Sequence, residues 1–163
     1  MDNNSKQDTT DISIQIADRN QMDWINSMYD QVHFQKSDFE NEFILIAEVG
    51  GQRAGIGRLV KIDESQGELG GIYVFPAFQK RGVAGQIVQS LCTLNPFKID
   101  TIWCLPFENL VSFYKKFGFD KCWNKEVPIE IVKKLEWCNS DSRYAQRVWL
   151  LCKCIAEEQG KDL

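Results

Sequence analysis

Apolar and polar positions alternate through DISIQIA, residues 11–17, which predicts a strand. Met22, Ile25, Met28, Tyr29 and Val32 then recur at spacings of three and four, the stripe of an amphipathic helix. The pattern breaks between His33 and Asn41. Two strand-like runs, FILIAEV and RAGIGRLVKI, flank Gly50-Gly51-Gln52, where glycine supplies the positive φ of a tight turn, so a hairpin is expected. A second turn at DESQG leads to a third strand, ELGGIYVFP.

From Gln79 the period becomes helical, with Val83, Ile87, Val88 and Leu91 on one face and Asn95-Pro96 as the stop. A short strand, TIWCLP, follows, and then a short helix from about Asn109 to Lys116 that stops at Gly118. FDKCWNKEV reads as a strand, Pro128 opens the helix IEIVKKLEW, and RVWLLCKCI alternates as the last strand. Residues 1–10 are expected to be a disordered polar tail and residues 156–163 a polar C-terminal tail, around one domain at 11–155. The element order predicts an α/β or α+β fold, a mixed sheet with helices on both faces.

Composition narrows the class. A chain of 163 residues, 44% hydrophobic, is long enough for one well-buried core. No apolar run approaches the roughly 20 residues that cross a bilayer, and MDNNSKQDTT lacks a signal-peptide core, so a cytoplasmic protein without a membrane partner is expected. A net charge of −4 speaks against nucleic acid as a partner, because phosphate backbones demand a basic face. Lys and Arg stand 6 against 13 Asp and Glu through residue 78, and 13 against 10 beyond it. A polyanion would therefore meet the second half, although ordinary surface scatter accounts for the split equally well. The six cysteines include no CxxC pair and sit mostly in apolar stretches, which predicts reduced, buried thiols and no metal site.

Candidate chemistry concentrates at residues 68–92, where a strand runs into Gln79-Lys80-Arg81-Gly82-Val83-Ala84-Gly85 and that stretch opens a helix. Glycines at a helix mouth let backbone N–H groups approach a ligand, and those donors with the helix dipole favour phosphate. The spacing is neither Walker A nor GxGxxG, and a purely structural turn would use the same glycines.

Gln79-Lys80-Arg81-Gly82-Val83-Ala84 resembles the pyrophosphate signature Q/R-x-x-G-x-G/A of the GCN5-related N-acetyltransferase (GNAT) superfamily. Phe113-Tyr114-Lys115-Lys116-Phe117-Gly118-Phe119 is similar to that family's second hallmark, LYxxxGF, and lies at the family's separation, 35 residues from Gln79 to Tyr114. The resemblance implies a mixed, mostly antiparallel central sheet splayed between two strands. It also implies N-acetyltransferase activity, with acetyl-CoA as co-substrate and direct attack by a primary amine in a ternary complex. A non-catalytic acyl-CoA-binding sensor of the same fold is the alternative.

Position by position, the resemblance assigns the pantetheine contact to the backbone of Ile72, Tyr73 and Val74. It assigns the pyrophosphate cradle to the N–H groups of Lys80, Arg81, Gly82, Val83, Ala84 and Gly85 after Gln79. Gly70-Gly71 would mark the bulge that opens the sheet, or simply a crowded crossing. Tyr114 matches the tyrosine that protonates the departing CoA thiolate, against a purely packing role. Glu68, 11 residues before Gln79, resembles in spacing the glutamate base of the histone-acetylating branch, or merely begins a strand.

Two features depart from the family pattern. Many members carry an asparagine seven residues before the tyrosine; Phe107 stands there, and Asn109, two residues out of register, reads as a helix N-cap. The helix after Pro128 is inserted between the last two strands and could cover the acceptor, form a homodimer contact or be a plain surface helix. His33, Phe34 and Asp38 lie in the loop where family members contact the acceptor, and Arg58 is a candidate for holding a carboxylate, or else a surface ion pair. The acidic first half tilts the acceptor toward a cationic amine; small amines, antibiotics, amino acids and protein termini all stay open.

Overall fold

The computed structural model describes residues 11–122 and 125–155, so the two tails expected from the sequence lie outside it. The first strand, β1 (Ile12–Ile16), runs into a 3-10 turn at Arg19–Gln21 held by a capping box. The Asp18 side chain accepts from the Asn20 N–H, while Gln21 Oε1 accepts from the Asp18 N–H at 2.9 Å. That turn starts α1 (Met22–Gln31), whose predicted stripe buries Ile25 and Tyr29. The hairpin β2 (Glu42–Val49) and β3 (Gln52–Lys61) turns through Gly50 and Gly51 at φ 57° and 79°. Next come β4 (Gln66–Val74), α2 (Val83–Leu94), β5 (Thr101–Cys104), α3 (Val111–Lys115), α4 (Ile129–Asn139) and β6 (Leu151–Cys154).

Among the described residues the strands form one six-stranded sheet in chain order. β1 is antiparallel to β2 and β6 antiparallel to β5, while β4 and β5 are parallel. The parallel ladder is short. It runs from Gln66 opposite Thr101 to Leu69 opposite Cys104 and stops there, although β4 itself continues to Val74.

The chain packs as two compact units, divided within β3 and β4. One takes residues 11–58 and 71–95. Its core joins Ile25, Tyr29, Ile44, Ile46 and Ile56, with Trp24, Tyr73 and Phe75 packed against them. At Gly57 the side chains of α2 come so close that a Cβ would lie 2.3 Å from Ile87, so only glycine fits. The other unit takes residues 59–70 and the described residues from 96 onward. Trp103, Ile131 and Cys152 form its centre, with Ile62, Leu105 and Leu150 against it. Trp103 is fully buried, a burial worth about 3 kcal/mol, and its indole N–H donates to Gln66 Oε1 at 2.9 Å.

Two expectations change. FDKCWNKEV does not form a strand: among its described residues, Asp120 pairs with Cys152 in an isolated bridge, with N–H to O distances of 3.0 and 2.8 Å. RVWLLCKCI shortens to β6, with Val148 bridged separately to Phe107. The cysteines also differ from the expected reduced set. Cys122 and Cys152 form a disulfide, their Cα atoms 5.9 Å apart, because the Asp120 bridge lays the two segments side by side. Alkylation of the denatured protein without reductant should therefore titrate four of the six cysteines, and all six after reduction. Six reactive thiols without reductant in air-purified protein would refute the pairing.

Candidate functional site

In the first unit, β4 ends against β3, with the Phe75 N–H donating to the Ala54 carbonyl at 2.8 Å. A 3-10 turn at Pro76–Phe78 then carries the chain to Gln79, whose side-chain amide donates back to the Val74 carbonyl at 3.3 Å. Lys80 adopts a left-handed φ of 62° and Gly82 one of 81°, and Gly82 stands at the N-cap of α2. No side chain caps that helix. Its ladder begins with the Gln86 N–H to the Gly82 carbonyl at 3.2 Å, so the N–H groups from Gly82 to Gly85 stand ahead of it. Lys80 and Arg81 are exposed beside them, while Val83, Ile87, Val88 and Leu91 anchor the helix in the core. A Cβ on Gly82 would meet no atom within 4 Å, so the loop needs glycine there for its backbone angle rather than for space.

The same unit arranges Gly71, Tyr29 and Arg58. Gly71 has a φ of 60° inside β4, and an added Cβ would lie 2.8 Å from both the Tyr29 hydroxyl and Arg58 Nε. Tyr29, fully buried, donates its hydroxyl to the Gly71 carbonyl at 2.7 Å. Burial holds its phenol well above the usual tyrosine range, with Arg58 opposing and Glu42 adding. It is therefore a neutral donor at physiological pH. The irregular φ of β4 is thus tied to a core side chain of α1.

Arg58 is occupied on several sides. One terminal nitrogen donates to the Gln35 carbonyl at 2.8 Å and to Ser37 Oγ at 2.5 Å. Its Nε lies 3.8 Å from Glu42, and its plane lies over the Tyr29 ring at 4.6 Å. Burial raises the Glu42 carboxyl above its usual range, with Arg58 pulling against it. Arg58 so fastens the loop after α1. In that loop, exposed His33 takes a left-handed φ of 58°. Phe34, 38% exposed, stacks on Tyr29 at 5.8 Å and meets Tyr73 edge-on at 6.3 Å.

The second unit holds Glu68 and Tyr114. Both oxygens of Glu68 accept from Lys134 Nζ, at 2.6 and 2.9 Å, which brings the inserted helix α4 to β4. One turn further along α4, burial raises the Cys138 thiol while Lys134 lowers it, Glu68 raises it and Arg143 lowers it, so those charges surround the thiol. Tyr114 lies on α3, 7% exposed, its ring against Phe113 at 5.0 Å and Phe119 at 6.0 Å. Burial, with Cys104 adding, holds its phenol well above the usual range, so it stays protonated. Gly118, at φ 91°, ends the turn, and the Phe119 N–H returns to the Tyr114 carbonyl at 3.4 Å.

Asn109 is not the N-cap expected of it. Phe107 takes that position for a 3-10 turn at Glu108–Leu110, and Leu110 takes it for α3. The Asn109 N–H donates to Gln146 Oε1 at 3.0 Å, because the segment before β6 lies alongside. Among the described residues no three His, Cys, Asp or Glu side chains gather as a metal site, and no helix is long and apolar enough to cross a membrane. Sequence reasoning missed Lys134 and Tyr29. Lys134 lies 66 residues from Glu68, and Tyr29 is 42 residues from Gly71 in a helical stripe that marks only core.

No curated protein matches the chain by sequence. Among solved structures, N-acetylglutamate synthase from Neisseria gonorrhoeae, complexed with coenzyme A and L-arginine, superposes with a TM-score of 0.62 at 17% identity. That match covers 88% of this chain and 33% of the synthase, so the chain spans about a third of its length. Rv2747 from Mycobacterium tuberculosis, in complex with CoA and NLQ, gives 0.64 at 16% identity, over 87% of this chain and 98% of that one. The ribosomal-protein-S18-alanine N-acetyltransferase from Escherichia coli gives 0.65 at 13%, over 88% and 94%. At these identities the likeness carries the fold. A family profile described as Acetyltransferase (GNAT) domain matches residues 40–121, half of the chain, including the 79–85 loop and Tyr114. The chain belongs to the GNAT acetyltransferase family.

Proposed function

We propose that this chain moves an acetyl group from acetyl-CoA to a primary amine by direct attack in a ternary complex. The observation that carries the reading is the uncapped start of α2, where Gly82 at φ 81° leaves the N–H groups through Gly85 ahead of the helical ladder. Such a helix mouth favours a pyrophosphate. In this reading Gln79 to Gly85 hold the pyrophosphate, and the backbone of Ile72, Tyr73 and Val74, beyond the last β5 pairing at Leu69, takes the pantetheine arm. Backbone N–H groups of β4 stabilise the oxyanion.

Tyr114 serves as the acid that protonates the CoA thiolate, and Glu68 as the base. Because both Glu68 oxygens already accept from Lys134, proton removal from the amine runs through a remaining lone pair or a water. His33 and Phe34 contact the acceptor, while the partners of Arg58 favour a loop-fastening part over a carboxylate-holding one. The cytoplasmic location expected from the sequence stays part of this reading. The Cys122–Cys152 disulfide bears against it, since reducing compartments rarely keep one.

Calorimetry with CoA, together with CoA-thiol release against a panel of amines, tests the assignment. Gly82→Val should weaken CoA binding at least about tenfold while the fold persists, because a β-branched residue resists a φ of 81°. Unchanged affinity in the folded variant would sink the site. Tight CoA binding with no transfer to any amine would favour the sensor.

A further inference from the structure

The second unit carries a cavity of about 360 Å³ at the C-terminal end of α4, lined by Cys138, Asn139 and residues 142–147. The loop around it is closed by a clamp. The Asn139 side chain donates to the Val148 carbonyl at 2.9 Å and accepts from the Val148 N–H at 2.8 Å. Asp141 and Ser142, at φ 54° and 52°, bend the chain between those ends. Gln146 adds a third tie through the Asn109 N–H.

Two arginines line this cavity, and among the described residues neither forms an ion pair with a carboxylate. Arg143 is pre-positioned: its Nε donates to the Trp137 carbonyl at 3.1 Å and its plane lies 3.7 Å from the Trp137 ring. Its two terminal nitrogens remain for a ligand. Arg147 rests 5.3 Å from the Trp149 ring, and Tyr144 packs edge-on to Phe107 at 5.2 Å as a wall. Guanidinium groups held by stacking at one cavity suit a carboxylate, which each can bind in bidentate fashion.

One lining residue, Cys138, ties the cavity to the helix that carries Lys134, the partner of Glu68. Cys138, on its lining, stands one helical turn beyond Lys134, about 6 Å along α4. We propose that Arg143 and Arg147 bind the carboxylate of the acceptor, whose amine lies toward Glu68. This deepens the transferase reading and rests on it. At least one turn of α4 lies between Lys134, the partner of Glu68, and the arginines beyond Cys138, so the acceptor class is an amine with its carboxylate several bonds away, as in lysine reacting at its side-chain amine. Among the acceptors left open by the sequence, this selects an amino acid, whose reacting amine is the cationic group that the acidic first half favours.

The test compares acceptors that differ only in the acid group: lysine against cadaverine, and 6-aminohexanoate against pentylamine. The wild-type chain should favour the carboxylate-bearing member of each pair by at least about tenfold in kcat/KM, the scale of a hydrogen-bonded charge. In the Arg143→Gln, Arg147→Gln double variant that ratio should fall to about one, with CoA affinity by calorimetry serving as the check on folding. Binding of 6-aminohexanoate and pentylamine is followed in parallel through tryptophan fluorescence, since Trp137 stacks on Arg143.

Equal use of both members by wild type, or a ratio that survives the double variant, overturns the pocket while leaving the transferase reading intact. Carboxylate-selective binding that the double variant loses, with no transfer to any amine, keeps the pocket and removes the transferase. Absence of both transfer and carboxylate-selective binding overturns the proposal.

Discussion

Tyr114→Phe is expected to slow acetyl transfer by roughly ten- to thousandfold when chemistry limits the rate, the range of a lost general acid. The substitution keeps the ring, and the ring is what packs against Phe113 and Phe119, so the fold should persist. A purely packing tyrosine would predict nearly unchanged turnover and a stability cost of about 1 kcal/mol or less. CoA affinity should change little, because the hydroxyl acts chiefly as the sulfur gains charge.

Two further readouts separate the roles. An activated aryl thioester, whose leaving group needs less protonation, should narrow the gap between variant and wild type. Since burial raises the Tyr114 phenol well above its usual range, the acid keeps its proton through neutral pH. No loss of rate from its ionisation should therefore appear below about pH 10, the ordinary tyrosine value. Single-turnover kinetics with both donors checks all of this. A variant as fast as wild type with acetyl-CoA, where chemistry limits, refutes the acid and strengthens the sensor.

Glu68→Gln should lower turnover by roughly a hundredfold or more, with CoA affinity unchanged. Glutamine retains a carbonyl oxygen that can accept from Lys134, so the contact between α4 and β4 is weakened rather than removed. Lys134 is half exposed and keeps an acceptor in the variant, so the variant should stay folded. Steady-state rates, with thermal melts as a control, measure both effects. A rate within about twofold of wild type moves the base to water or another group and leaves Glu68 as the anchor of α4.

The 79–85 loop and the LYxxxGF-like turn were legible in the sequence because each is a local event. A strand, a positive φ and a helix start within ten residues, or a helix stopping at Gly118, follow from hydrogen-bond geometry that reaches four or five residues along the chain. The stripe of α1, the β2–β3 hairpin and the helix after Pro128 were legible for the same reason. Family membership rests on these local patterns and their order.

What those residues touch was decided elsewhere. Periodicity placed Tyr29 on the buried side of α1 but carried no sign that its hydroxyl would reach Gly71, nor that Arg58 would fasten the following loop. Glu68 could be ranked as a base by spacing, yet its ion pair with Lys134 exists only because α4 lies beside β4. The Cys122–Cys152 disulfide and the loss of the strand expected from Phe119 arise the same way. Each depends on which segments the sheet order makes neighbours. Local hydrogen-bonding preferences determine elements, whereas contacts across 30 to 66 residues follow from the packing of the whole chain.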